Sequence, residues 1–175
     1  MLCNAFPVSH RLVPPVERVV ASIERFEDEG GPIHRTWFPY ERAVTEFGKF
    51  QPNWLKRIAQ RIKRGFPGGF PSDHSIYAAL LEIPPGADEQ EVHADGLGAQ
   101  PVFWNIFVPL TFHRNQGTTV FAGGARPPPR CRNYMFDSVV EHHGQANRSG
   151  ESRWVLMFTV ASDRSFWTHK VCVDV

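Results

Sequence analysis

His93-Ala94-Asp95 sets an imidazole and a carboxylate two positions apart, and His142 and Arg153 follow further along the chain. In an extended segment alternate side chains share a face, so Glu91, His93 and Asp95 are expected to point the same way. A histidine and an aspartate so placed can reach one metal ion from the end of one strand. With His142 added, two imidazoles and one carboxylate cover one face of a metal and leave the other open. That suits non-haem Fe(II), which must also bind a cosubstrate and O2. A downstream cation, Arg153, gives an anionic cosubstrate an anchor. With eight histidines in the chain an HxD tripeptide arises easily by chance, so the downstream residues carry the weight.

The elements that would position these residues fall into two parts. Residues 1–70 read as a helical N-terminal support. Pro14-Pro15 open a stretch in which Val16, Val19, Val20, Ile23 and Phe26 recur at helical spacing, closed by Gly30-Gly31-Pro32. A second helix is expected from Asn53, read as its N-cap, with Trp54, Leu55, Ile58 and Ile62 on one stripe. Residues 75–175 read as strands: Ser75–Glu82, Pro101–Phe112, Thr118–Ala122, Tyr134–His142 and Arg153–Ala161, separated by turns. Strands collected behind helices predict a mainly β protein with N-terminal helices, a barrel or sandwich forming one domain over 1–175.

Composition narrows the function classes. A formal net charge of +1 recommends neither a nucleic-acid nor a membrane partner. Cys3, Cys131 and Cys172 cannot all pair and lack metal-ligand spacing, so they read as free thiols of a reducing compartment. The first thirty residues show no signal-peptide pattern, and no apolar run reaches the roughly 18 residues of a membrane span. A soluble, cytoplasmic protein is the expectation. The basic stripe Lys56, Arg57, Arg61, Lys63 and Arg64 reads as the solvated face of an amphipathic helix.

Four segments carry a family likeness: PPGADEQEVHAD, NQGTTVFAGG, FDSVVEHHGQANRS and RWVLMFTVA. Their order and spacing resemble the phytanoyl-CoA dioxygenase-like branch of the Fe(II)/2-oxoglutarate-dependent oxygenases. The resemblance implies a double-stranded β-helix, a cupin-like jelly roll. It implies His93, Asp95 and His142 as metal ligands, and Arg153 as partner of the distal carboxylate of 2-oxoglutarate. Thr119 looks like the threonine that related prolyl hydroxylases direct at the cosubstrate, and Tyr77 and Asn105, on strands that should line the barrel, are further candidates for cosubstrate binding. Phe103 and Phe107 share a face with Asn105 and are expected to form a dry wall. His143 stands ten before Arg153, a spacing also seen in the superfamily, but the offsets from Asp137 and to Asn147 favour His142.

The implied activity is hydroxylation of a C–H bond in a small-molecule substrate, with Fe(II), 2-oxoglutarate and O2 as cofactor and cosubstrates. Asp95 argues against the halogenating variant, in which a small residue vacates that position. The alternatives are a prolyl-type protein or peptide hydroxylase and a metal-holding jelly-roll module without turnover. The closing strand lacks the second arginine usual in nucleic-acid demethylases. The sequence departs from the family at Ala122-Gly123-Gly124-Ala125-Arg126 and the prolines after it, and the chain is short at the N-terminal end that helps to shape a substrate pocket.

Overall fold

Two helices form where apolar residues recur every three or four positions. α1 (Val16–Asp28) turns Val19 and Ile23 inward. α2 (Asn53–Gly65) buries Leu55, Ile58, Ala59 and Ile62 and leaves Arg57, Arg61, Lys63 and Arg64 exposed. Pro52, not Asn53, is the N-cap of α2, and it makes no side-chain capping bond. The ring fixes φ at −63°, which sets an extended entry, so Asn53 becomes the first helical residue. The computed structural model describes residues 4–5, 8, 10–28, 34–37, 42–45, 52–95, 103–127, 133–162 and 171–172. Cys3, Cys131 and the expected stop at Gly30-Gly31-Pro32 lie outside them. No helix among these residues is long and apolar enough to cross a membrane.

The strands are β1 (Asn4–Ala5), β2 (His34–Trp37), β3 (Arg42–Thr45), β4 (Ser75–Ile83), β5 (Trp104–Pro109), β6 (Thr119–Phe121), β7 (Tyr134–Asp137), β8 (His142–Gly144), β9 (Arg153–Ala161) and β10 (Val171–Cys172). Eight of them form one antiparallel sheet in the order β1-β7-β5-β9-β4-β3-β2, with β10 also pairing β4. β6 and β8 form a small second sheet. The protein is mainly β, with two helices and antiparallel sheets.

The large sheet has two different faces because its side chains alternate. Ile76, Ala78 and Leu80 of β4, Ile106 and Val108 of β5, and Leu156, Phe158 and Val160 of β9 pack against α1 and α2. The opposite face carries Ala79, Leu81, Phe107, Tyr134, Phe136, Val155 and Met157, and Phe121 of the small sheet closes over them. The layers are therefore helices, large sheet and small sheet.

Three expectations are corrected. The N-terminal stretch is not helical throughout, since β1, β2 and β3 join the large sheet from it. Tyr134–His142 is not one strand. Asp137 accepts a hydrogen bond from the Val139 N–H through its carboxylate (3.1 Å), and from the Val140 N–H through its carbonyl (3.1 Å). That aspartate-led turn delivers β7 to one sheet and β8 to the other. His93 and Asp95 do not lie in a strand either: His93 makes a single bridge, Asp95 sits in a bend, and Glu91 is exposed.

Candidate metal centre

Backbone pairing brings the two distant histidines together. The His93 N–H donates to the His142 carbonyl (2.9 Å), and the His142 N–H donates back (2.8 Å). Such a pair sets two side chains beside each other on one face. Their ring centroids are 4.5 Å apart. Asp95 reaches the same point from the bend: Oδ1 is 3.5 Å from His93 Nε2 and Oδ2 is 3.7 Å from His142 Nε2. One ligand atom from each of His93, Asp95 and His142 lies within 4.8 Å of the others.

The ring nitrogens are already assigned. His93 Nδ1 donates to the Glu91 carbonyl (2.9 Å) and His142 Nδ1 to the Val140 carbonyl (2.9 Å). A carbonyl only accepts, so each Nδ1 carries the proton and each Nε2 is left as an unprotonated acceptor. This outer-sphere arrangement fixes tautomer and ring orientation for metal binding. His142 is buried against Phe136 (4.8 Å) and Phe121 (6.2 Å). Burial pushes its pKa below the ordinary histidine value, with the Asp95 carboxylate pulling the other way. A neutral imidazole is the form a metal needs.

Asn105 holds the carboxylate. It is fully buried, its Nδ2 donates to Asp95 Oδ2, and its Oδ1 accepts from the Thr159 hydroxyl (2.7 Å). Tyr77, Thr159, Asn105 and Phe136 are paired in register across β4, β9, β5 and β7, forming one row beneath the cluster. Tyr77 packs with Phe103 and Ala161 at this level. It lies six residues along β4 from Ile83, the partner of Arg153, a distance of roughly 20 Å. Phe107 lies one alternation further along the same face, against Tyr134 (5.6 Å) and Phe136 (5.1 Å).

β8 separates the adjacent histidines. His142 turns inward, whereas His143 Nε2 meets Glu89 Oε1 at 2.8 Å. Gly144 then returns to the inner face, opposite Thr119 of β6. A Cβ at Gly144 would stand 3.2 Å from Arg153 Nη2 and 3.2 Å from Gln90 Oε1, so the bare Cα leaves room for the guanidinium. Arg153 is buried, and its Nη1 donates to the Gln116 carbonyl (3.0 Å). Its Nη2 thus lies beside β8 two residues, about 7 Å, beyond His142. Thr119, buried beside it, shares a 2.8 Å hydrogen bond with the Tyr134 hydroxyl.

No protein-family model matches the chain, and no curated protein matches it. Solved structures do. It is similar to SnoN, a non-haem α-ketoglutarate-dependent epimerase from nogalamycin biosynthesis, at 15% identity and a TM-score of 0.65, over 91% of this chain and 77% of that one. It is similar to a Pseudomonas putida prolyl-4-hydroxylase at 16% identity and 0.59, over 92% and 91%. EvdO2 from Micromonospora carbonacea var. aurantiaca, complexed with 2-oxoglutarate, matches at 13% and 0.59, over 100% and 96%. The likeness is one of fold, shared with these three structures.

Sequence reasoning missed three residues of this region. Gln90 donates to His93 Nε2 (3.3 Å) and accepts the Gly144 N–H (2.9 Å). Gln116, also buried, accepts the His113 N–H (3.1 Å) and donates to the Ser152 carbonyl (3.0 Å), which sets the start of β9. Tyr134 reads in sequence as one more strand aromatic. Gln90 and Gln116 stand inside two of the four likeness segments, PPGADEQEVHAD and NQGTTVFAGG, without an assigned role; no such signal marked Tyr134.

Proposed function

We propose that this chain is an Fe(II)- and 2-oxoglutarate-dependent dioxygenase that hydroxylates a C–H bond of a small molecule. The observation that carries the reading lies on β8. His142 and the gap at Gly144 filled by Arg153 Nη2 share its inner face one side-chain step apart, with Thr119 and Tyr134 alongside. That spacing fits a short dicarboxylate with one end at a metal and the other at a guanidinium. The donor set fits Fe(II): two Nε2 lone pairs and one carboxylate, with no fourth side chain closing the sphere among the described residues. A structural zinc site would close it.

His93, Asp95 and His142 would hold the metal. Bound iron with 2-oxoglutarate and O2 supplies the oxidising chemistry, releasing succinate and CO2. Arg153 orients the cosubstrate by pairing its distal carboxylate, with Thr119 and Tyr134 as hydroxyl donors. Phe107, Phe121 and Phe136 exclude water from the same face. Asn105 keeps Asp95 aimed. Tyr77 lies at the metal end, where it faces substrate rather than the distal carboxylate. We take 1–175 as one oxygenase domain on a double-stranded β-helix, in the phytanoyl-CoA dioxygenase-like branch to which the four segments point. A small-molecule substrate accords with the likeness to an enzyme of nogalamycin biosynthesis. A prolyl-type peptide hydroxylase is the second reading, favoured by Thr119 and the prolyl-4-hydroxylase likeness.

Anaerobic addition of Fe(II) and 2-oxoglutarate should give the weak visible charge-transfer band of a chelated keto acid, and O2 should then release succinate. His142→Ala should lose stoichiometric Fe(II) or Mn(II) binding and His143→Ala should keep it. Arg153→Ala should spare the metal but cost roughly 3–5 kcal/mol of cosubstrate affinity, the penalty for stripping a buried ion pair of one partner. If the metal-loaded wild type forms no keto-acid complex, the chain is a metal-holding module instead.

A further inference from the structure

A second site lies on the far side of the large sheet from the metal cluster. A cleft of ≈ 850 Å³ opens between the segment Arg11–Pro15, α1 and the start of α2. Among the described residues that line it, four are arginines, Arg11, Arg18, Arg25 and Arg57, and none is acidic. In a chain of net charge +1 with 18 carboxylate side chains, that is a local concentration of one sign. Helical periodicity builds it: Arg18, Ser22 and Arg25 fall on one stripe of α1, and Arg57 stands one turn beyond Asn53 and Trp54 on α2. Small Ala21 and Ser22 keep the floor low, and the Ser22 hydroxyl is turned back to the Val19 carbonyl (2.8 Å).

The start of α2 points to the same ligand independently. Asn53 and Trp54 line the cleft, no side chain caps the helix at Pro52, and its first turn holds no acidic residue. The positive end of a 13-residue helix therefore borders the cleft that the arginines line, the combination that binds phosphate oxygens. Trp54, half-buried, and the rings of Pro14 and Pro15 add flat apolar walls. Arginines beside an indole suit a phosphate group carried on a planar ring.

We infer that this cleft binds a phosphorylated small molecule of nucleotide type, at a site separate from the metal centre. Calorimetry on the intact chain at low ionic strength, with sodium pyrophosphate, ADP and a mixed-sequence single-stranded RNA as titrants, tests it. One equivalent of pyrophosphate should bind, and ADP more tightly. Arg18→Ala with Arg57→Ala should weaken both by about tenfold or more, as expected for losing charge-assisted hydrogen bonds. Trp54→Leu should weaken ADP and leave pyrophosphate unchanged. Arg61→Ala with Arg64→Ala, on α2 outside the cleft, should change neither, and Asp95→Ala should bind as wild type. Circular dichroism checks that each variant is folded. The inference is overturned if millimolar pyrophosphate and ADP give no binding, or if the control pair loses as much as the cleft pair. It is also overturned if RNA alone binds, since the arginines would then be part of a nucleic-acid surface.

Discussion

Asn105 joins chemistry to scaffold through one amide, holding Asp95 with its nitrogen and Thr159 with its oxygen. Asn105→Ala leaves buried polar groups without that partner, at roughly 1–3 kcal/mol of stability. Metal affinity should fall about tenfold or more, the usual effect of removing an outer-sphere hydrogen bond. Urea denaturation and a Mn(II) titration check the two effects separately. His142 makes a pH prediction for the metal-free protein. Burial holds its folded pKa below the ordinary 6.5, so the unfolded chain takes up the proton first as pH falls. Its contribution is full above that value and is lost as pH drops towards the folded pKa. The urea midpoint should decline as pH falls below the ordinary histidine value, and His142→Gln should flatten the decline. Residue identity made His93, Asp95 and His142 legible in the sequence. Gln116 was not, because its role rests on bonds to Ser152 and Arg153 that only the folded turn creates.

At the scale of elements, the stretch from His142 to Asn147 is the hinge of the site. Its backbone bonds the segment 86–93 on one side and 118–121 on the other. Asn147 pins its end. Fully buried, its amide donates to the carbonyls of Ile83 (2.9 Å), Pro84 (3.1 Å) and Glu151 (2.8 Å), while its oxygen accepts from Ser149. Asn147→Ala should cost at least about 1–3 kcal/mol, since several buried carbonyls lose their donor together. Thermal unfolding measures that loss. β4 and β9 were plain in the sequence because their apolar runs are long and sharply bounded. β8 was hidden, because three residues of His-His-Gly have no strand pattern of their own and are held by neighbours on both sides.

For the whole molecule, the sheet separates stability from chemistry. Ile58 is fully buried between α2 and the sheet, on the face away from the metal cluster. Ile58→Ala should cost about 2–5 kcal/mol yet leave metal stoichiometry unchanged in the folded fraction. Denaturant titration with metal analysis of the same sample tests both. Helices behind strands could be read from periodicity alone. The short strands β1, β2 and β3 could not, since four residues or fewer give periodicity little to work on.

The neighbouring histidines of β8 also bear on tolerance to changes of chain length. Removing one residue from the turn 138–141 would slip β8 by one position and turn each of its side chains to the other face. The position opposite His93 would then be filled by the histidine now at 143, so the metal set would keep its composition. The bare Cα of Gly144 would not survive the same slip: the side chain of Gln145 would take its place and close the gap beside Arg153. A length error in this turn would thus keep a His-Asp-His set and close the gap beside Arg153, separating metal binding from the cosubstrate contact proposed for that guanidinium.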